Sequence, residues 1–166
     1  VINDVISQVG ECLNSDVAAV YVRDDDGSLD CQYLWSKNQS MSAEEYVSDW
    51  QRGNIRFRSW QNGQGKVQMA DKGYMVIDAR HIDDVAKKIL TGSTVKSFVA
   101  VTVYVNGRSG AVFVLANTSV NKIWSVEEIE FAKQTSEVIR CCLEKIESDD
   151  SVKRINSVLL DTYNYM

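Results

Sequence analysis

Residues 97–117 read SFVAVTVYV-NG-RSGAVFVLAN, and residues 124–131 shortly after them read WSVEEIEF. Two Val-rich runs, 97–105 and 109–116, flank Asn106-Gly107, which supplies the two positive-φ residues that a two-residue hairpin turn needs. Ser125, three residues ahead of Glu128, opens a capping box, and Trp124 is placed to staple onto Ile129, so a helix starts here. Over residues 125–146, Ile129, Ala132, Ser136, Ile139, Leu143 and Ile146 recur at helical spacing. Glu127, Glu130, Lys133, Glu137, Arg140 and Glu144 lie mostly off that stripe. A hairpin followed by a helix with one apolar side predicts an antiparallel sheet with the helix laid against it.

Toward the N-terminus, Ile2, Val5, Ile6, Val9 and Leu13 make an amphipathic helix over residues 1–14. Residues 17–22 form an almost continuous apolar run, and Asp24-Asp25-Asp26-Gly27 turns the chain. Leu29, Cys31, Tyr33 and Trp35 then alternate with Asp30 and Gln32, predicting a second hairpin with a buried first strand. In the middle, Ser42 and Glu45 open a short helix through Trp50, residues 54–67 form an edge strand with a loop or a lid, residues 74–77 a brief strand, and residues 82–90 a short helix. Past Glu147, Ser148-Asp149-Asp150 interrupts the apolar stripe, which restarts in a shifted phase at Val152, Ile155, Leu159 and Tyr163. Residues 1–147 are therefore expected to form one domain and residues 148–166 a connecting helix or linker toward a following module.

Composition excludes several classes. The chain of 166 residues is 45% hydrophobic and 25% charged, an ordinary globular balance, and has no apolar run long enough to span a bilayer. Its net charge of -5, with Lys and Arg scattered, argues against nucleic-acid binding. Four cysteines without metal-ligand spacing predict reduced thiols packed as small hydrophobes, hence a cytoplasmic protein. One histidine offers no Ser/His/Asp or Cys/His set, and the glycines match no phosphate-cradling motif, so no enzyme is expected.

The segment Gly73-Tyr-Met-Val-Ile-Asp-Ala-Arg-His-Ile82 resembles the short strand, Asp and polar run that precede the small helix of GAF domains. Residues 97–117 resemble the last hairpin of that family, and Trp124-Ser-Val-Glu-Glu its "aromatic, Ser, x, Glu, Glu" start of the closing helix. The likeness covers about residues 1–147. It implies an α+β, PAS-related fold: a five- or six-stranded antiparallel sheet, N- and C-terminal helices on one face, and an irregular helical roof over a ligand pocket on the other. Departures narrow the family. The Asn-Lys-x-Phe-Asp-Glu signature of cyclic-nucleotide-binding members is missing, with Asn121-Lys122-Ile123-Trp124 only a partial match. The absence of proline and the single histidine argue against a bilin site, and no cysteine lies between Cys31 and Cys141, where members that reduce free methionine sulfoxide need them.

The resemblance implies a sensory, regulatory domain of a signalling protein that senses a small molecule, relays a signal through its terminal helices, or does both. The apolar stripes of the first and last helices suit a parallel homodimer. A covalently linked output domain is the other expected partner, and no cofactor is named by these residues. The alternative is a structural dimerisation module with a self-filled pocket. Candidate ligand-contacting residues are Trp50, Trp60, Tyr74, Asp78, His81, Phe98 and Phe113. His81 also reads as a surface residue kept charged by Asp78, Asp83 and Asp84, Asp83-Asp84 as helix caps, and the two tryptophans as filling of the roof itself.

Overall fold

The computed structural model describes residues 1–25, 29–37, 73–78, 80 and 95–164. They form helix α1 (Ile2–Cys12), strands β1 (Val17–Arg23), β2 (Leu29–Ser36), β3 (Tyr74–Ile77), β4 (Ser97–Val105) and β5 (Arg108–Asn117), and helix α2 (Val126–Asn164). The strands make one antiparallel sheet in the order β2-β1-β5-β4-β3. This is the five-stranded form of the expected α+β architecture. The expected helices through Trp50 and over residues 82–90, and the roof to which they belong, lie outside the described residues.

Strand pleating sends alternate residues to opposite faces, and the central strands bury both. On one face Ala18 and Val20 of β1, Val99, Val101 and Val103 of β4, and Ala111, Phe113 and Leu115 of β5 pack with Ile2, Ile6, Val9 and Leu13 of α1 and with Ala132 and Ile139 of α2. Both terminal helices therefore share one side of the sheet. The other face carries Val17, Ala19, Tyr21, Met75, Ile77, Phe98, Ala100, Val112, Val114 and Ala116, all buried.

The hairpin turn forms as its sequence requires, with φ of 51° at Asn106 and 78° at Gly107. Two bulges then alter the expected alternation. Val103 pairs with Ala111 and Tyr104 with Ser109, leaving Gly110 as an extra residue in β5. In β1 and β2, Val20 pairs with Tyr33 and Tyr21 with Cys31, leaving Gln32 extra. An extra residue shifts the register by one and sends the residues beyond it to the opposite face. Leu29 and Cys31 thus lie on the face away from the helices, whereas Tyr33 and Trp35 pack toward them, correcting the single-sided alternation expected of β2.

The start of α2 also follows its sequence. The Ser125 N–H donates to Glu128 Oε1 at 3.0 Å and the Glu128 N–H to Ser125 Oγ at 3.1 Å, closing the capping box. Lys122 pairs with Glu128 at 2.5 Å and donates to the Leu13 carbonyl at the end of α1, so one ammonium ties the two helices together. Burial alone would raise the Glu128 carboxyl; Lys122 and the Ser125 amide outweigh it and hold the group below its usual range. Of the two forms expected past Glu147, a connecting helix or a linker, the chain takes the helix: α2 runs unbroken for 39 residues through Ser148-Asp149-Asp150. Ser and Asp are weak helix formers, but the segment holds no Pro or Gly to break the ladder. The sheet-facing stripe ends at Leu143, and Ile146 is 45% exposed because the sheet stops at the Asn106 turn and none of the described residues covers it. Residues 145–164 are exposed throughout. Cys12 and Cys141 are exposed as well, correcting the expectation that all four thiols are packed: Cys12 is the last residue of α1, and Cys141 points away from the sheet while Cys142 packs toward it.

Two contacts give sharp stability expectations. Gly10 sits so close to Trp35 that an added Cβ would lie 2.2 Å from the indole Cζ3. Gly10→Ala therefore sets about 1 kcal/mol of helix propensity against about 1–3 kcal/mol of overpacking. A lower melting temperature is expected, and a higher one would show that Trp35 moves aside at little cost. The Asp16 carboxylate accepts from the Thr118 and Ser119 amides, both at 2.9 Å, and from Ser119 Oγ at 2.7 Å, binding the start of β1 to the end of β5. Its burial raises the carboxyl pKa, but these hydrogen bonds outweigh that and hold it below 3.8. With the folded value depressed, the stabilisation is complete above 3.8 and is lost as pH falls through the folded value. Asp16→Asn should cost about 1–2 kcal/mol at neutral pH and flatten the acid limb of a denaturant-stability profile below about pH 4.

Candidate functional site

The sheet face turned away from the helices is the candidate binding surface, and cross-strand register arranges it in rows. Ala19, Val114, Ala100 and Met75 lie side by side across β1, β5, β4 and β3. The next row is Val17, Ala116, Phe98 and Ile77, and on the other side Tyr21 neighbours Val112, which neighbours Thr102. Small and large side chains alternate over this face, Ala19 and Ala100 beside Val114 and Met75 in the middle row and Tyr21 and Phe98 in the rows on either side, and the whole apolar face, buried throughout, is termed the trough. An apolar trough of this kind suits a flat, largely apolar guest, with orientation set by a few polar groups around it.

The seven residues nominated from sequence separate onto different surfaces. Phe98 belongs to the trough. Phe113 and Tyr74 pack instead on the helix side, where Phe113 is fully buried and Lys133 of α2 lies 4.0 Å from the Tyr74 ring centroid. Uninterrupted pairing outward from the Asn106-Gly107 turn would set Phe113 opposite Ala100, on the same face as Phe98. The extra residue at Gly110 turns it to the helices. Trp50, Trp60 and His81 lie outside the described residues.

Asp78 is buried completely at the end of β3, and its two oxygens are engaged: Oδ1 accepts the Arg80 amide at 2.9 Å and Oδ2 the Trp124 amide at 3.1 Å. It anchors the residue that precedes the α2 cap. Trp124 is itself buried, with Lys122 Nζ 4.7 Å from its ring centroid. The trough residues missing from the nominated set are Ala19, Tyr21, Ala100, Val112, Val114, Ala116, Met75 and Ile77. The parity of Phe98 along β4 marks Ala100 as its face-mate, whereas the β5 members depend on the bulge. No group of three or more His, Cys, Asp or Glu side chains placed to hold a metal occurs among the described residues, and none of their helices is long and apolar enough to cross a membrane. If Asp78 serves to hold α2, Asp78→Ala should lower the stability of the ligand-free protein by about 2–3 kcal/mol in urea titration. A residue reserved for ligand contact would leave that stability unchanged.

Solved structures with this fold come from light and kinase signalling proteins. The third GAF domain of Slr1393 from Synechocystis superposes with a TM-score of 0.64 at 13% identity, covering 91% of this chain and 96% of that one. The blue-light-absorbing form of the PixJ GAF domain from Thermosynechococcus elongatus gives 0.62 at 11% identity, covering 92% and 88%. A domain of a two-component sensor histidine kinase protein from Sinorhizobium meliloti gives 0.61 at 11% identity, covering 90% and 93%. At these identities the likeness is one of fold. No curated protein matches in sequence. The GAF domain family model matches residues 1–142, the span from the first helix to the last sheet-facing turns of α2. With that match over most of its length, and both terminal helices on one side of an antiparallel β2-β1-β5-β4-β3 sheet, the chain belongs to the GAF domain family.

Proposed function

We propose that this domain is a non-catalytic sensory module of a cytoplasmic signalling protein, taking a small, largely apolar molecule on the trough face and passing its state to a following domain through α2 in a parallel homodimer. The observation that carries the reading is the outer side of α2. Phe131, Val138, Cys141, Val152, Ile155 and Leu159 are exposed and fall on the a and d positions of one heptad register, running from the part of the helix on the sheet to the part beyond it. Lys145 occupies an a position between Val138 and Val152, the kind of polar layer that specifies register at a cost in stability. The fold relatives in a photoreceptor and a sensor kinase support a sensory role by analogy. In this reading Phe98 is a ligand contact, together with Trp50, Trp60 and His81 from outside the described residues. Residues 1–147 form the sensor and residues 148–166 the connection.

One observation favours a second reading. Ala19, Ala100 and Ala116 are completely withdrawn from solvent in the protein alone, which suits a structural dimerisation module whose trough is filled by its own side chains.

Native mass spectrometry and thermal-shift screening separate the two. The sensory reading expects a mass of twice 18.7 kDa, a co-purified small molecule or a stabilising metabolite, and a shift that grows with ligand concentration. Val152→Asp with Leu159→Asp should yield a monomer that keeps the melting temperature of its sheet core, since both side chains are exposed in the single copy. A dimer that no small molecule stabilises supports the structural module, and a wild-type monomer at micromolar concentration with nothing bound overturns both readings.

A further inference from the structure

The tip of the β4–β5 hairpin is fastened to α2 at the point where the helix leaves the body. The Asn106 N–H donates to Glu144 Oε1 at 2.9 Å, and Asn106 Nδ2 donates to Glu147 Oε2 at 3.0 Å. Glu144 also receives Arg140 Nη1 at 2.9 Å, and Arg140 Nε reaches Glu137 at 2.8 Å, so the carboxylate that accepts the turn is oriented from its own helix. The Asn106 amide, burial and Arg140 act on the Glu144 carboxyl together, leaving it below its usual range. Leu143 is the last residue of α2 to join the core, and every residue from 145 to 164 is exposed.

Directly past the clamp comes Ser148-Asp149-Asp150-Ser151. Ser and Asp compete with the helix by bonding nearby backbone groups, so four in succession make a weak stretch of α2, and all four are exposed among the described residues. The clamped hairpin has its other end in the trough. β4 carries Phe98 and Ala100, and β5 carries Val112, Val114 and Ala116, on the face opposite the helices. One rigid element thus touches the candidate ligand surface at its base and the departing helix at its tip.

We propose that the Asn106 turn is a clamp that sets the direction and rotational phase in which residues 145–164 leave the domain, keeping the helix wound as it enters the weak stretch at residues 148–151. This rests on the reading of α2 as the output helix and specifies how the hairpin controls it. A guest on the trough that tilts the β4–β5 hairpin as a unit moves the turn, and the two hydrogen bonds carry that movement to Glu144 and Glu147. The stripe of Val152, Ile155 and Leu159 is then presented at a different angle.

The test is amide hydrogen exchange on the whole chain, comparing the wild type with Glu144→Ala/Glu147→Ala. Exchange at residues 145–151 should accelerate about tenfold while β1 and β5 amides keep their rates. Asn106→Gly, which retains the turn and its N–H but loses the bond to Glu147, should give a smaller increase. Glu130→Ala, which removes the Glu130–Lys133 ion pair of α2 without touching the hairpin or the residues that orient Glu144, should give none. Unchanged rates at 145–151 in the double variant, or an equal rise across sheet and helix, overturn the clamp. Sedimentation of the same samples keeps the two ideas apart. A monomeric wild type with the local acceleration removes the dimer reading and leaves the clamp, whereas a dimer without the acceleration removes the clamp alone.

Discussion

Strands β1, β4 and β5 are apolar on both faces, so two separate covers are needed before the sheet can be stable in water. The helix side is fully accounted for by the described residues. Two amphipathic helices from opposite ends of the chain lie on it and bury Ile6, Phe113, Leu115 and Ile139 essentially completely. That closes one face using only the two ends of the sequence.

Joining the ends falls to a few polar side chains rather than to the core. Lys122 bridges the last turn of α1 and the cap of α2, Asp16 gathers the backbone of residues 118–119, and Asp78 holds Trp124. Each is a charged group accepting or donating several hydrogen bonds, the arrangement in which loss of one partner is most costly. All three act where a strand or helix begins or ends. The apolar stripes decide which faces meet, and these contacts decide at which residue the meeting starts.

Local chemistry made much of this legible in the residues. The Asn106-Gly107 turn, the Ser125–Glu128 capping box and the helical stripes depend on neighbours in sequence, and each appears where its pattern places it. What escaped was a matter of counting. One extra residue at Gly110 reverses the face of Phe113, and one at Gln32 divides β2 between both sides; Gly110, a glycine inside a strand pattern, was the one local sign of a bulge, and Gln32 carries none. Whether residues past Glu147 form a helix or a linker stayed open for a different reason, because the weak propensity of Ser148-Asp149-Asp150 lowers helix stability without dictating a break. The trough was legible only through Phe98, since half of its middle row is alanine, whose meaning depends on what stands beside it, and the rest depends on the bulge in β5.

The length of α2 beyond its last support has a mechanical consequence. About 20 residues project past Glu144, a rod of roughly 30 Å at the helical rise. A tilt of about 5° at its root displaces the far end by roughly 2.6 Å, more than a hydrogen bond tolerates. Sub-ångström adjustments in a tightly packed β layer are thereby multiplied into movements large enough to make or break contacts in whatever the rod is joined to, and the gain is set by the number of unsupported turns.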